Sequence, residues 1–203
     1  FLVLPALLSL AFHGPMQSRG SVQYSFTYAS VPIDQQIDEA DIILVGTVTR
    51  ISETRWNQDS GKYWEERVQH EGGDTLYTAL PYYTTEVLVD QPIVGDAHAG
   101  QTLVLTQIGM SPADPDAGNA GFLRRVQVGD HIVAFVVYRD MGWRNGTRPI
   151  LRPFTILESA CFVRGSDGLY ETAQLTEKGE MEKRVSLDQL IARISRIRNV
   201  EVR

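Results

Sequence analysis

The side chains of this chain that could act as bases, nucleophiles or metal ligands are few: His13, His70, His98 and His131, the single cysteine Cys161, and scattered carboxylates. Two imidazoles that hold zinc from one helix face need i,i+4 spacing, and no pair here has it. His13 borders an apolar stretch, His70 lies in the charged run EERVQHEGGD, His98 sits in the connection GDAHAG, and His131 opens the strand HIVAFVVY. Each reads as a surface or strand-end histidine. Cys161, inside ILESACFV, reads as a buried thiol with no activating neighbour, and a lone cysteine excludes an intrachain disulfide. No Gly-x-Ser-x-Gly elbow occurs, and RGSDG is better explained as a turn. Glu65, Glu66, Glu71 and Asp74 have the chemistry of an acid/base pair. They share one polar excursion with Arg67, which favours a solvated face. The loop DPDAGN offers Asp114, Asp116 and Asn119 as oxygen ligands for calcium, but it lacks the third acidic position and terminal glutamate of an EF-hand loop. Neither GxGxxG nor GxxxxGK[ST] is present to cradle phosphate. The motifs therefore point to no catalytic residue, no metal set and no cofactor.

Aromatic residues are placed less ordinarily. Trp56, Tyr63 and Trp64 fall in one polar segment, and Trp143 with Arg144 in another, where chains usually put small polar groups. Trp, Tyr and Arg dominate binding hot spots because they bury much area at little conformational cost. These five are the candidate contact residues; their alternative use is to fold back over the ends of the domain. Asn145-Gly146-Thr147 also matches a glycosylation sequon.

The elements that would position such residues are mostly strands. SVPIDQQIDEADI reads as a short helix with Pro32 in its first turn, Ile33, Ile37 and Ala40 on one face, and Asp34 placed where a helix N-terminus favours negative charge. DIILVGTVTRI is a strong strand with a bulge or bend expected at Gly46. The polar segment from Ser52 to Pro81 reads as a long excursion, either a loop or a hairpin, because no sustained period survives through it. TTEVLV and TLVLTQI are strands, joined by a turn-forming stretch from Pro92 to Gly100. In VQVGDHIVAFVVY, Gly129-Asp130 turns the chain, and the unalternated run from Ile132 to Tyr138 predicts a strand buried on both faces. RGSDGL reads as a hairpin turn at Asp167-Gly168. In VSLDQLIARISRIRN, Ser186 and Gln189 make a capping box, Val185 and Leu190 a hydrophobic staple, and Leu187, Leu190, Ile191, Ile194 and Ile197 one apolar face.

The 203 residues suit one domain with a substantial core. A net charge of −6 argues against a nucleic-acid surface. FLVLPALLSLAF, residues 1–12, is almost uninterrupted apolar sequence, too short to span a membrane as a helix. It reads either as the remnant of a secretory signal peptide or as an apolar arm for assembly, with membrane association following only if it is retained. Both alternatives imply an extracytoplasmic protein, secreted or at the cell surface. The division expected is an N-terminal segment and linker (residues 1–30), a β domain (31–185) and a C-terminal helix (186–203). Short strands with helices only at the ends predict a mainly β fold, a small antiparallel barrel or sandwich that periodicity alone does not separate; an OB-like barrel is the first choice because its closure limits exposed edges.

The order ADIILVGTVTRI, TTEVLVDQPIVGD, GQTLVLTQIG, VQVGDHIVAFV resembles a group of exported bacterial domains of unknown role. Their shape is similar to the OB-like inhibitory domain of tissue inhibitors of metalloproteinases. The resemblance covers roughly residues 33–170 and implies fold rather than function. Inhibition in that family uses an N-terminal cysteine on the protease zinc. This chain starts with Phe1 and its one cysteine is distant, so no functional residue transfers. The expectation is a non-enzymatic exported module that contacts a protein partner or its own copies. The alternatives are an extracytoplasmic hydrolase whose carboxylates converge in space, and a protease inhibitor or regulator by fold analogy.

Overall fold

The computed structural model describes residues 32–57, 61–62, 65–70, 73–78, 81–114, 126–140, 151–155, 161–171 and 184–200. The apolar segment 1–12 and the linker behind it lie outside the described residues. Along the chain come α1 (Ile33–Glu39), β1 (Ile42–Ile51), β2 (Arg55–Trp56), β3 (Glu65–His70), β4 (Gly73–Thr78), β5 (Pro81–Val94) and β6 (Thr102–Ile108). They are followed by β7 (His131–Asp140), β8 (Leu151–Thr155), β9 (Cys161–Arg164), β10 (Tyr170–Glu171) and α2 (Leu187–Arg198). The fold is mainly β.

The main sheet runs in the order β1-β5-β6-β8-β7-β9-β10, with β2 attached to β5, and β3 and β4 form a separate hairpin. β1 has a partner on each edge: Thr47 lies opposite Leu88 of β5 and opposite His131 of β7. One pairing departs from the antiparallel expectation. β6 and β8 are parallel, with Thr106 opposite Phe154. Strand direction requires it: β5 reverses β1 and β6 reverses β5, while β7 reverses β1 and β8 reverses β7, so β6 and β8 both run with β1.

The continuous apolar run of β7 is explained by two cores. Val133, Phe135 and Val137 pack with Ile33 and Ile37 of α1 and Leu190 and Ile194 of α2. Ile132, Ala134 and Val136 turn the other way, to Val87, Val89, Leu103 and Leu105. β1 divides likewise, with Ile43 and Val45 on the helix side and Ile42, Leu44 and Val48 opposite. Each fully buried aliphatic or Phe side chain contributes about 1.5–3 kcal/mol, so these two strands carry much of the stability. Phe135 and Phe162 meet edge-on inside the helix-side core, ring centroids 6.1 Å apart.

Local chemistry sets the irregularities. The β1–β5 register shifts between Val45 and Gly46, the bulge expected there. A Cβ on Gly46 would stand 2.5 Å from the Leu88 carbonyl oxygen and 2.6 Å from Val87 Cγ1, so close approach of β5 requires glycine. The turn after β5 begins later than its sequence suggests: the strand continues through Pro92 to Val94, and Gly95 reverses the chain at φ 85°. Pro92 is tolerated because another register shift, between Ile43 and Leu44, lies beside it, where a missing N–H costs no regular ladder bond. On α1, Pro32 is the N-cap without a side-chain cap, and Gln36 joins Ile33 and Ile37 on the buried side.

α2 follows its sequence closely. Ser186 accepts from the Gln189 N–H and Gln189 returns the bond to the Ser186 N–H at 2.9 Å. Val185 packs on the cluster that holds Leu190, and Asn199 closes the helix in the left-handed region at φ 51°. Arg193 Nε donates to Asp34 Oδ1 at 2.6 Å, and Arg198 donates to the carbonyls of Ile37 and Asp38 at the negative end of α1. No described helix is long and apolar enough to cross a membrane.

Candidate functional site

Strand register brings together residues that the sequence keeps far apart. On β1 and β7, Thr47 and His131 continue the alternation of Ile43, Val45, Val133 and Phe135 and so share the helix side of the sheet. Asp90 follows the inward-facing Val89 on β5 and points to that same outer side. Thr47 Oγ1 donates to Asp90 Oδ2 at 2.9 Å, and His131 Nε2 stands 3.3 Å from the same oxygen. On the far side of the ring, His131 Nδ1 lies 2.7 Å from the Tyr170 hydroxyl. The result is a chain, Thr47–Asp90–His131–Tyr170, that joins β1, β5, β7 and β10.

A carboxylate only accepts, so Nε2 carries a proton toward Asp90; in the neutral imidazole Nδ1 then accepts from the Tyr170 O–H. Burial in the helix-side core pushes the Tyr170 phenol above its ordinary value of 10.0, with Arg164 opposing and Asp90 adding to the rise. The His131 and Asp90 side chains keep 29% and 40% of their accessible surface, whereas Tyr170 is buried. A carboxylate–imidazole pair can move a proton. Here, however, both ring nitrogens already have protein partners, which suits holding the sheet together better than attack on a substrate.

A second polar cluster ties two connecting segments together. The Asp114 carboxylate accepts from the Thr54 N–H at 3.2 Å and 3.3 Å. Thr54 Oγ1 accepts from the Ser111 N–H at 2.7 Å, and Ser111 Oγ donates to the Ser52 carbonyl. These bonds clasp the segment after β1 to the one after β6. Asp114 therefore serves as a backbone cap, while Asp116 and Asn119, its suggested calcium co-ligands, lie outside the described residues. Among the described residues, no group of three or more His, Cys, Asp or Glu converges as metal ligands would.

At the β9–β10 turn, Arg184 reaches Asp167 at 2.8 Å and Glu171 at 2.9 Å. The Leu169 N–H, foremost, holds the Asp167 carboxyl below its ordinary 3.8; desolvation opposes it and the Arg184 charge adds to the lowering. Glu171 first and Asp167 second hold Arg184 above its own ordinary value.

Of the five contact candidates, Trp56 is half-buried in β2, its N–H bonded to the Gly61 carbonyl at 3.0 Å and its backbone opposite Pro81. Tyr63, Trp64, Trp143 and Arg144 lie outside the described residues. So do His13 and Glu71, and the side chains of Glu65, Glu66, His70 and Asp74 in the β3–β4 hairpin. His98 is exposed beside Asp96 at 3.7 Å in the turn before β6, and Cys161 is a buried free thiol. Thr47, Asp90 and Tyr170 carry no motif. The available signal was a polar His131 in phase with Val133 and Phe135.

Compared with protein-family models, curated proteins and solved structures, the chain gives no match.

Proposed function

We propose that this chain is a non-enzymatic exported module, an OB-like barrel whose work is contact with another polypeptide. The observation that carries this is the ring of pairings β1–β5–β6–β8–β7 and back to β1. Such a ring is what a five-stranded Greek-key barrel of the OB type needs, and the helix-free core of Val87, Val89, Leu103, Leu105 and Ala134 is suited to fill its interior. OB folds bind through the connections between their first and second and their fourth and fifth strands. Counted around this ring, those connections are residues 52–80 and 141–150, the segments holding Trp56, Tyr63, Trp64, Trp143 and Arg144. The acidic balance disfavours nucleic acid as the ligand, and large aromatics beside an arginine suit a protein surface. The apolar residues 1–12 support an extracytoplasmic site and, where retained, offer an arm for self-assembly.

A photo-crosslinking side chain placed at Trp64, at Trp143, or at the exposed Asp188 of α2 as a control, tests the proposal in extracts and with purified protein. Protein adducts at the two connections and none at Asp188 are expected; an adduct of twice the chain mass identifies a second copy as the partner. Silence at both connections, or equal labelling at the control, contradicts it.

A further inference from the structure

The root of the 52–80 connection is held from two sides. On one side the Ser52 N–H donates to the Thr84 carbonyl at 2.9 Å, and Ser52 Oγ accepts from the Thr84 N–H at 2.9 Å. On the other, Thr54 gives its N–H to the Asp114 carboxylate and takes the Ser111 N–H on Oγ1 at 2.7 Å, while Ser111 Oγ donates to the Ser52 carbonyl. The segment 111–114 is itself folded into a turn: Ser111 Oγ accepts from the Ala113 N–H at 3.1 Å, and the Ser111 carbonyl accepts from the Asp114 N–H at 3.1 Å. β2 is shorter than an ordinary strand and adds only Arg55 opposite Tyr82 and Trp56 opposite Pro81. Its placement therefore leans on the clasp that precedes it.

We propose that Asp114 is a positioning residue for the contact surface: its tie to Thr54 fixes the course on which the chain enters the 52–80 connection, so that Trp56 is presented to a partner already ordered. This rests on the reading of that connection as a contact site. Ordering a segment at the moment of binding subtracts from affinity, and a segment ordered beforehand escapes that loss. The members of the clasp are not equivalent. Ser111 is fully buried and its hydroxyl bonds both the Ser52 carbonyl and the Ala113 N–H, so its removal disturbs the turn as well as the tie. Asp114 is half-buried, and among the described residues its carboxylate bonds only the Thr54 N–H. It is the place where the tie can be cut while the turn and the core stay intact.

Charge alone does not account for the arrangement. Among the described residues no ion pair includes Asp114, and its carboxylate turns instead to a backbone N–H 60 residues away. What the tie needs at this position is an acceptor oxygen. An uncharged amide supplies one in the same place, so Asp114→Asn separates the bond from the charge.

The test places the photo-crosslinking side chain at Trp64 of the full chain, in extracts and with purified protein, and combines it with Asp114→Ala, Asp114→Asn or Thr54→Val, far-UV circular dichroism confirming equal folded fractions. Thr54→Val keeps the side-chain shape but removes the acceptor of the Ser111 N–H, the other half of the same tie. In Asp114→Ala the Thr54 amide should exchange faster, and the yield of the parent's adduct should fall roughly tenfold, the order of one hydrogen bond to a charged group. A similar loss is expected in Thr54→Val and a near-parent yield in Asp114→Asn; should Asp114→Ala fail to fold, the contrast between those two decides. An adduct yield unchanged in Asp114→Ala and Thr54→Val, or an equal loss in Asp114→Asn, overturns the positioning role and leaves the contact site standing. A parent chain silent at Trp64 takes both away.

Discussion

Gly46→Ala adds one methyl group at the point where β1 is flanked by both β5 and β7, opposite Val89 and Ile132. The new carbon would stand 2.5 Å from the Leu88 carbonyl oxygen, 2.6 Å from Val87 Cγ1 and 3.2 Å from Leu44 Cδ1. Comfortable carbon contacts begin near ~3.5 Å, so two neighbours are overlapped by about 1 Å. Neither can yield cheaply. The Leu88 oxygen is backbone of a paired strand, and Val87 is fully buried. Overpacking of this kind costs about 1–3 kcal/mol, against a gain of about 0.4–1 kcal/mol from stiffening the unfolded chain. The steric side wins, with a net loss of about 1–2 kcal/mol. Urea denaturation followed by far-UV circular dichroism should show a lower midpoint at unchanged slope, and the melting temperature should fall by about 2–4 °C per kcal/mol for a chain of this size. A variant as stable as the parent would mean that β1 is not held this tightly, and the steric argument fails.

Ser186→Ala removes half of the capping box and is expected to cost about 0.5–2 kcal/mol in the same assay, with loss confined to the first turn of α2 in hydrogen exchange; no change refutes the cap as a stabilising element. Asp167 has a folded-state value below its ordinary 3.8, so its stabilisation is present above that pH and is lost as pH falls through the lowered value. Asp167→Asn should therefore be less stable than the parent at pH 7, with the gap closing as pH falls below 3.8; a gap that stays constant contradicts the assignment. Tyr170 is raised above 10.0, so its contribution is complete below that pH and is lost as pH climbs beyond it. Phenolate absorbance and alkaline unfolding should rise together in the parent, and Tyr170→Phe should flatten the stability loss above pH 10.0; a variant with an unaltered alkaline limb disproves the link.

How far the sequence carried the fold can be judged element by element. Ser186, Gln189 and the Leu190–Ile194 face act within one helix, so local chemistry sufficed to find α2. The unalternated run of β7 announced burial on both faces, which its division between two cores explains. β5 was harder. Its later half contains Pro92 and leans on a register irregularity with β1, a long-range fact that no local window holds. The parallel β6–β8 pair is likewise a consequence of strand order, not of residue type. The same distinction applies to the polar chain. Thr47 and Asp90 are 43 residues apart and His131 and Tyr170 are 39 apart, so only the arrangement of β1, β5, β7 and β10 makes them neighbours. Asp114 drew attention as an oxygen donor, yet its carboxylate caps Thr54, 60 residues away. Aromatic composition, by contrast, was plain from the start at Trp56, which the fold places half-buried on β2.

The proposed barrel rests on two pairings, β1 with a partner on both edges and β6 beside β8. Cross-strand nuclear Overhauser effects in a uniformly labelled sample test it most directly. The account predicts contacts from Thr47 to both Leu88 and His131, together with a parallel-type contact between Thr106 and Phe154. Contacts from Thr47 to one strand only, or rapidly exchanging β6 amides on the side toward Phe154, would mean an open sheet and would contradict it.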